Sequence, residues 1–237
     1  MIAPGEPTGV LENEYGVIKR FEKLSIYLNQ AKYILDFGCG YGAYTKLLKQ
    51  YGAVVVGVDL SQEYIFKAKH LHPELFFLKA SGETLPFKNE SFEIVCLIEV
   101  LEHVQNENSV LEEINRILTP GGRLLITVPN KFFPFETHSI KIGEKILEPP
   151  IPFFSWLPDC LRKPFERARI YNPKKIISLL RKHRFRVVTV DFIPPLFEGV
   201  FENIPGIKTL RNVADKIFNL PLIKLFSMSI LAVAQKI

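Results

Sequence analysis

The chain has 237 residues, of which 47% are hydrophobic, so it can bury a sizeable core as one domain with an insertion. Three cysteines without framework spacing are typical of a reduced, cytoplasmic protein rather than a disulfide scaffold. We expect neither a signal peptide nor a transmembrane span. The N-terminus lacks the signal pattern, and the most apolar stretch, residues 217–234, is interrupted by Pro221 and Lys224.

The net charge of +5 is unevenly distributed along the chain. Residues 1–130 carry 12 basic and 16 acidic side chains, whereas residues 131–237 carry 18 basic and 9 acidic ones. A basic half can indicate an anionic partner such as a phosphorylated metabolite, a lipid headgroup or nucleic acid. A solvated surface is the simpler interpretation, and transient contact with a membrane surface stays open.

Short β-rich runs alternate with longer amphipathic segments, which predicts βα units and a parallel sheet. The predicted elements of the first half are a helix over Glu12 to Gln30, a strand at Tyr33 to Phe37, a helix around Tyr44 to Tyr51, a strand at Val54 to Asp59, a helix from the N-cap Ser61 to His70, and a strand at Leu75 to Lys79. They continue with a strand at Phe92 to Ile98, a short helix through Glu102 and His103, a helix at Glu107 to Leu118, a turn at Thr119 to Gly122 and a fifth strand at Arg123 to Val128.

The regular pattern stops at Pro129 and returns at Asn172-Pro173, an N-cap and first-turn pair that opens a helix to about His183. A strand at Arg186 to Phe192, a helix around Ile207 to Ile217 and a strand near Met228 to Ala234 follow. The pattern predicts an α/β fold in a single domain over residues 1–237: a doubly wound, mostly parallel, Rossmann-like sheet of seven strands with helices on both faces. Residues 131–171 would form a lid inserted after the fifth strand.

A glycine-rich loop, Asp36-Phe-Gly38-Cys-Gly40-Tyr-Gly42, lies between the first predicted strand and the next helix. Glycines let the backbone turn tightly and let a ligand approach the main chain, and the helix N-terminus that follows favours an anion. With Ala43 the loop also satisfies G-x-G-x-x-A, so a nicotinamide dinucleotide site is a competitor. Asp59, nineteen residues after Gly40, is placed to bind a ribose diol in either cofactor, unless it is only a strand-end turn residue.

The chain contains four motifs in succession: LDFGCGYG, VGVDLS, GETLPF with SFEIVCLIEVLEHV, and LTPGGRLLITVPN. They resemble the motifs of class I S-adenosylmethionine-dependent methyltransferases, most of all those of the small-molecule, type 11-like subgroup. The resemblance covers Ile34 to Asn130. It implies S-adenosylmethionine as cofactor and transfer of its methyl group to an oxygen, nitrogen or carbon of a small-molecule acceptor.

Carried over residue by residue, the resemblance implies that the methionine end of the cofactor is held by Asp36, Gly38, Cys39, Gly40 and Gly42. The other implied contacts are Asp59 with the ribose hydroxyls, Leu60 with the adenine, Gly82 and Glu83 near the adenine, and Ile98 and Glu99 along the path to the sulfonium. The family often has an aspartate where this chain has Ser81, which leaves the adenine contacts the least secure.

A hydroxyl acceptor would require a base, for which His103 and His138 are the candidates, although a histidine of this kind is more often structural. Glu99, Glu102 and His103 form E-x-x-E-H, and on a helix they would share one face, where a divalent metal could bind with His138 as a fourth ligand. Similar segments occur in relatives that use no metal. We therefore favour a capped helix beside the substrate pocket and predict no metal.

The proposed lid is rich in aromatic and basic residues. Its aromatic side chains could wall an apolar pocket: Phe132, Phe133, Phe135, Phe153, Phe154, Trp156 and Phe165. Its basic side chains could pair with an anionic group of a lipid-linked or quinone-like acceptor: Arg162, Lys163, Arg167 and Arg169. Alternatively, the aromatics pack on the core and the basic residues are solvated.

Three other functions compete with a small-molecule methyltransferase. Nothing in the chain suggests the hydride-transfer site of a nicotinamide-dependent oxidoreductase. A non-enzymatic relative that binds a partner would have less need of the intact glycines and of Asp59. An RNA methyltransferase would fit the basic second half, but the chain has no separate RNA-binding module and no Asn-Pro-Pro-aromatic motif, so nucleic acid is not the partner that we expect.

Overall fold

The computed structural model describes residues 14–28, 31–51, 54–196 and 205–237. Its strands are β1 (Tyr33–Phe37), β2 (Val54–Asp59), β3 (Phe76–Lys79), β4 (Phe92–Ile98), β5 (Leu118–Pro129), β6 (Phe135–Glu136), β7 (Ile140–Ile142), β8 (Lys145–Leu147), β9 (Ile151–Pro152), β10 (Phe185–Ile193) and β11 (Ser229–Lys236). Its helices are α1 (Tyr15–Ser25), α2 (Ala43–Lys49), α3 (Gln62–Leu71), α4 (Glu107–Ile117), α5 (Asp159–Arg162), α6 (Pro173–Lys182) and α7 (Ile207–Phe218).

Seven of these strands form one sheet in the order β3-β2-β1-β4-β5-β11-β10. Strand β11 runs antiparallel to both of its neighbours, and the other pairings in the sheet are parallel. The chain reverses its direction of winding between β1 and β4, as in doubly wound folds whose ligands bind beyond the carboxyl ends of the strands. The predicted seven-stranded, mostly parallel sheet is confirmed.

The central strands are apolar except for Asp36, Asp59 and Glu93, because helices cover the sheet on both faces. Successive side chains point to opposite faces, so neighbours in β4 belong to different cores. Val95 packs in one buried cluster with Ile114 of α4, whereas Cys96 packs in another with Leu24 of α1. These two layers of helices hold the strand ends, and therefore the loops beyond them, in fixed positions.

Two predicted helix caps are present in the structure. The Ser61 hydroxyl accepts a hydrogen bond of 3.3 Å from the Tyr64 amide, which starts α3. The Asn172 side chain accepts one of 2.8 Å from the Lys175 amide, with Pro173 in the first turn of α6. Each cap satisfies an amide that has no partner within its helix, so these residues set where the helices begin.

Three predicted elements differ from the structure by more than the one or two residues seen at the other boundaries. Helix α1 ends at Ser25, short of the predicted Gln30, and both ends of that prediction lie outside the described residues. Residues 119–122, predicted as a turn, belong to β5, whose pairing with β4 is irregular between Phe92 and Ile94. The short helix predicted through Glu102 and His103 is wrong, because residues 101–103 form a turn and Glu99 has a φ of 55°.

The segment inserted after β5 leaves the sheet and returns to it at one point. The Lys131 amide donates to the Tyr171 carbonyl at 2.7 Å, and the Tyr171 amide donates to the Pro129 carbonyl at 3.0 Å. Between them the chain forms two small antiparallel pairs, β6 with β9 and β7 with β8, and the short helix α5. The segment is thus a folded unit, which its irregular sequence pattern did not reveal.

None of the described helices combines the length and apolar character that crossing a bilayer requires.

Candidate active site

The loop after β1 is built on left-handed backbone. Gly38, Gly40 and Gly42 have φ values of 75°, 53° and 90°, a region that costs glycine little and other residues about 1–2 kcal/mol. The amides of Gly38 and Cys39 both donate to the Val58 carbonyl, at 2.8 and 2.9 Å, so the loop is tied to the end of β2. The result is a rigid bend of main chain at the carboxyl edge of the sheet.

The three glycines differ in what surrounds them. A Cβ at Gly38 would lie 2.4 Å from Cγ2 of Val100, and one at Gly42 would lie 2.7 Å from Cζ of Phe77. At Gly40, no described atom lies within 4 Å of where a Cβ would stand. Packing therefore requires glycine at the two outer positions, whereas the middle one presents bare backbone to open space.

Asp59 links the glycine loop to the end of β2 through both of its carboxylate oxygens. Its Oδ2 accepts a hydrogen bond of 3.0 Å from the Gly40 amide, and its Oδ1 accepts one of 2.8 Å from the Ser61 amide. The next side chain, Leu60, is 62% exposed. A half-exposed carboxylate beside an exposed apolar side chain suits a ribose joined to a flat base.

The Asp36 carboxylate lies inside the fold. Its side chain is buried, and the Thr45 hydroxyl of α2 donates to it at 2.6 Å. Burial, with a smaller effect of the charge of Asp59, raises the pKa of Asp36 to about 7 against the lowering effect of the Thr45 hydrogen bond. Burial also raises the pKa of the Cys39 thiol, so that side chain is a neutral packing group. Contact of Asp36 or Cys39 with a cofactor stays a prediction.

The loop after β3 approaches the first strand closely. A Cβ at Gly82 would stand 2.2 Å from Cζ of Phe37, so only glycine fits there. The neighbouring Glu83 is exposed. At the end of β4, Ile98 is buried, and the Glu99 amide is held by the Thr127 hydroxyl at 3.0 Å. The structure therefore brings the ends of β1, β2, β3 and β4 to one edge, where the predicted cofactor residues lie.

The turn after β4 and the inserted segment bring an acid and two histidines together. Oε1 of Glu102 lies 4.0 Å from Nε2 of His103 and 4.0 Å from Nε2 of His138. Burial and the charge of Glu99 raise the pKa of Glu102, against a smaller effect of Arg20. Burial lowers the pKa of His103 to about 4, so His103 is neutral at pH 7 and is a weak proton acceptor.

Most basic side chains of the inserted segment already have partners within the protein. Arg162 is buried and pairs with Asp159 and Glu166. Arg169 donates to backbone carbonyls of residues 102, 104 and 105, and Arg167 donates to the Ser139 hydroxyl. The prediction that these arginines bind an anionic acceptor therefore loses its support, because their hydrogen bonds serve the folding of the segment.

The seven aromatic side chains predicted to wall a pocket differ in exposure, and Phe165 is partly buried. Phe133 and Phe154 are buried, as packing on the core predicts, whereas four are at least 41% exposed: Phe132, Phe135, Phe153 and Trp156. A cavity of about 320 Å³ lies nearby, lined by charged groups that include Lys131, Arg162 and Lys175, and no residue of the glycine loop lines it. The exposed aromatics, and not this cavity, remain candidates for contact with an apolar acceptor.

Three residues that the sequence did not single out support the site. Thr45 holds the Asp36 carboxylate, Val100 packs on Gly38, and Glu136 holds the ring of His138. Thr45 lies two residues after Ala43 of the glycine motif, so its position on α2 was a usable signal. Nothing in the local sequence relates Val100 or Glu136 to their partners.

The chain is similar to known methyltransferases. Residues 35–126 match the family model of the methyltransferase domain, type 11. A ubiquinone biosynthesis O-methyltransferase from Coxiella burnetii is 32% identical over 122 residues, which are 49% of this chain and 52% of the relative. A norajmaline N-methyltransferase from Rauvolfia serpentina is 35% identical over 122 residues, which are 48% of this chain and 42% of the relative. The chain spans about half the length of the curated relatives it matches.

A solved S-adenosylmethionine-dependent methyltransferase from Mesorhizobium loti has the same fold, with a TM-score of 0.63 over 92% of this chain and 98% of that one, at 18% identity. The family match and the glycine loop make residues 35–126 similar to a type 11 methyltransferase domain, and the shared fold agrees with that of a class I S-adenosylmethionine-dependent methyltransferase. The methyl donor of that family is S-adenosylmethionine.

Proposed function

We propose that this protein transfers the methyl group of S-adenosylmethionine to a small-molecule acceptor with an aromatic or otherwise apolar body. The observation that carries the proposal is the open backbone at Gly40, fixed by its hydrogen bond to Asp59 at the carboxyl edge of the sheet. The family match over residues 35–126 supports the same donor.

The residues of the loop fit this cofactor. The open space at Gly40 lets a ligand lie against the main chain, and Asp59 offers carboxylate oxygens that accept hydrogen bonds from the ribose hydroxyls. Leu60 offers an exposed apolar surface to the adenine, and Glu83 lies in the loop that Gly82 brings over the end of β1. When bound, S-adenosylmethionine supplies an electrophilic methyl group on its sulfonium, and S-adenosylhomocysteine remains after transfer.

Because the donor is already reactive, the protein has only to position the acceptor, exclude water and receive a proton where the acceptor loses one. We propose that residues 131–171 are the lid that covers the acceptor, with the exposed rings of Phe132 and Trp156 in contact with it. With no ion bound, His138 is the better candidate for the proton acceptor, because the low pKa of His103 makes that imidazole a weak base at neutral pH.

Relatives with known acceptors act on either oxygen or nitrogen. One is described as a ubiquinone biosynthesis O-methyltransferase and another as a norajmaline N-methyltransferase. We propose a small-molecule acceptor here as well, methylated on an oxygen or a nitrogen.

The test is an activity screen with a donor that carries a trideuterated methyl group. The full chain is incubated with phenols, catechols and ring-containing amines, and products are sought by mass spectrometry as acceptors heavier by one trideuteromethyl group. We expect label in one acceptor class, and about tenfold less of it with the Asp59→Ala variant when the donor is below saturation. A Glu74→Ala variant, which loses an exposed carboxylate elsewhere, should keep the activity. Label transferred equally well by Asp59→Ala would contradict the proposed site.

A further inference from the structure

Glu102, His103 and His138 form a compact set of metal-binding groups. One ligand atom from each lies within 4.8 Å of the others. Glu102 and His103 belong to the turn after β4, whereas His138 lies between β6 and β7 in the inserted segment. The 4.0 Å separations from Oε1 of Glu102 to the two imidazole nitrogens are too long for hydrogen bonds. They approach the spacing of two atoms bound to one ion, about 3–4 Å for bonds near 2.1 Å.

The Glu102 carboxylate lacks partners that a buried acid requires. Its side chain is 0% exposed, and within the part of the chain that the structure describes no other residue donates a hydrogen bond to either oxygen. A buried carboxylate without hydrogen bonds is costly, and such groups are rare unless a function or an ion explains them. A cation between Oε1 and the two imidazoles would satisfy this group.

The ring of His138 is oriented for this role by a second buried acid. Its Nδ1 lies 3.1 Å from Oε1 of Glu136, an oxygen that also accepts from the amides of Thr137 and His138. The other oxygen of Glu136 accepts from the Ser155 hydroxyl. With the proton of the imidazole on Nδ1, the lone pair of Nε2 points away from Glu136 and is free to bind an ion. Metal-binding histidines in proteins are commonly held by a carboxylate in this way.

We propose that Glu102, His103 and His138 bind a divalent transition-metal cation, with Glu136 as the residue that positions His138. Two imidazole nitrogens and one carboxylate suit Mn²⁺, Fe²⁺ or Zn²⁺ better than Mg²⁺ or Ca²⁺, which prefer oxygen ligands. Because His138 belongs to the inserted segment and Glu102 to the turn after β4, a bound ion would join that segment to the sheet.

The test is titration of the full chain with Mn²⁺ alone, followed by calorimetry and by thermal unfolding. We expect one Mn²⁺ ion per chain and a rise in Tm, because the ion binds only the folded state. Glu102→Gln and His138→Ala should each weaken Mn²⁺ binding at least tenfold. Glu136→Gln keeps the three ligands and should weaken it about tenfold through the loss of ring orientation. His70→Ala, an exposed histidine on α3, is the matched control and should bind as the unaltered protein does.

A spectroscopic measurement on the unaltered protein keeps the test independent of how the variants fold. Pulsed electron paramagnetic resonance of bound Mn²⁺ should show coupling to imidazole nitrogen, which is absent in the double variant His103→Ala/His138→Ala. The proposal is overturned if this coupling is missing, or if the unaltered protein binds Mn²⁺ and Zn²⁺ no more tightly than His138→Ala. Titration with S-adenosylhomocysteine in parallel measures the nucleoside site separately, so a failure of one site is not mistaken for a failure of the other.

Discussion

The backbone amide of Gly40 donates a hydrogen bond of 3.0 Å to Oδ2 of Asp59. The two residues are nineteen positions apart, one in the loop after β1 and the other at the end of β2. The bond fixes the one loop glycine that faces open space and orients the carboxylate beside it. Cofactor binding and loop shape are therefore expected to depend on the same side chain.

Replacing Asp59 with alanine should weaken binding of S-adenosylhomocysteine about tenfold to 100-fold. Hydrogen bonds to a charged group contribute about 1.5–3 kcal/mol, and Asp59→Ala removes those to the ribose as well as the tie to Gly40. Calorimetric titration measures the affinity, and Glu74→Ala controls for the loss of one negative charge. Equal affinities of Asp59→Ala and the unaltered protein would contradict this role.

Alanine should reduce thermal stability at one glycine of the loop and ligand binding at another. At Gly38, the new Cβ would lie 2.4 Å from Val100, so Gly38→Ala should lower Tm strongly. At Gly40, where there is open space, only the left-handed backbone opposes alanine, at about 1 kcal/mol. Gly40→Ala should therefore stay folded but bind S-adenosylhomocysteine poorly, because the methyl group occupies the ligand's side of the loop. Equal losses of Tm in the two variants would show that this assignment is wrong.

Asp36 should make folding stability depend on pH. Its pKa is about 7 in the fold and 3.8 ordinarily, so between these values the folded state binds more protons than the unfolded state. The free energy of unfolding that Asp36 contributes is therefore largest below about pH 4, decreases as pH rises to about 7, and is constant above that. This shift in pKa corresponds to a change of about 4 kcal/mol in the free energy of unfolding between low and high pH.

The Asp36→Asn variant measures this contribution. Asparagine stays neutral and can still accept the hydrogen bond from Thr45, so the variant lacks the pH-dependent loss. Urea unfolding at several pH values should show the variant gaining stability over the unaltered protein as pH rises from 4 to 7.5. Parallel stability curves for the two proteins would exclude a raised pKa at Asp36.

Much of this fold could be predicted from the sequence because its central strands are short runs of mostly apolar residues. The bounds of β1, β2 and β4 were predicted to the residue, since turn residues flank segments that must be buried on both faces. The caps Ser61 and Asn172 were predicted because a short polar side chain before a helical pattern has a specific role. The glycine loop could be recognised for a similar reason, because its regularly spaced glycines are needed where the backbone is left-handed.

The parts that could not be predicted depend on contacts distant in sequence. The helical pattern around Glu102 is overridden by the left-handed backbone at Glu99, whose amide is held by Thr127 of the adjacent strand. The approach of His138 to Glu102 depends on how the inserted segment folds, and that segment has no regular period. Local patterns therefore indicated a nucleotide-type site but gave no information on the geometry of its acidic and histidine groups.

The Gly40 and Asp59 edge of the sheet is expected to bind the nucleoside of S-adenosylmethionine, and calorimetric titration of the full chain with S-adenosylhomocysteine measures this binding. We predict saturable binding of one molecule per chain, with no measurable heat for NAD under the same conditions. A folded protein that gives no heat with S-adenosylhomocysteine, or that binds NAD more tightly, would contradict the claim.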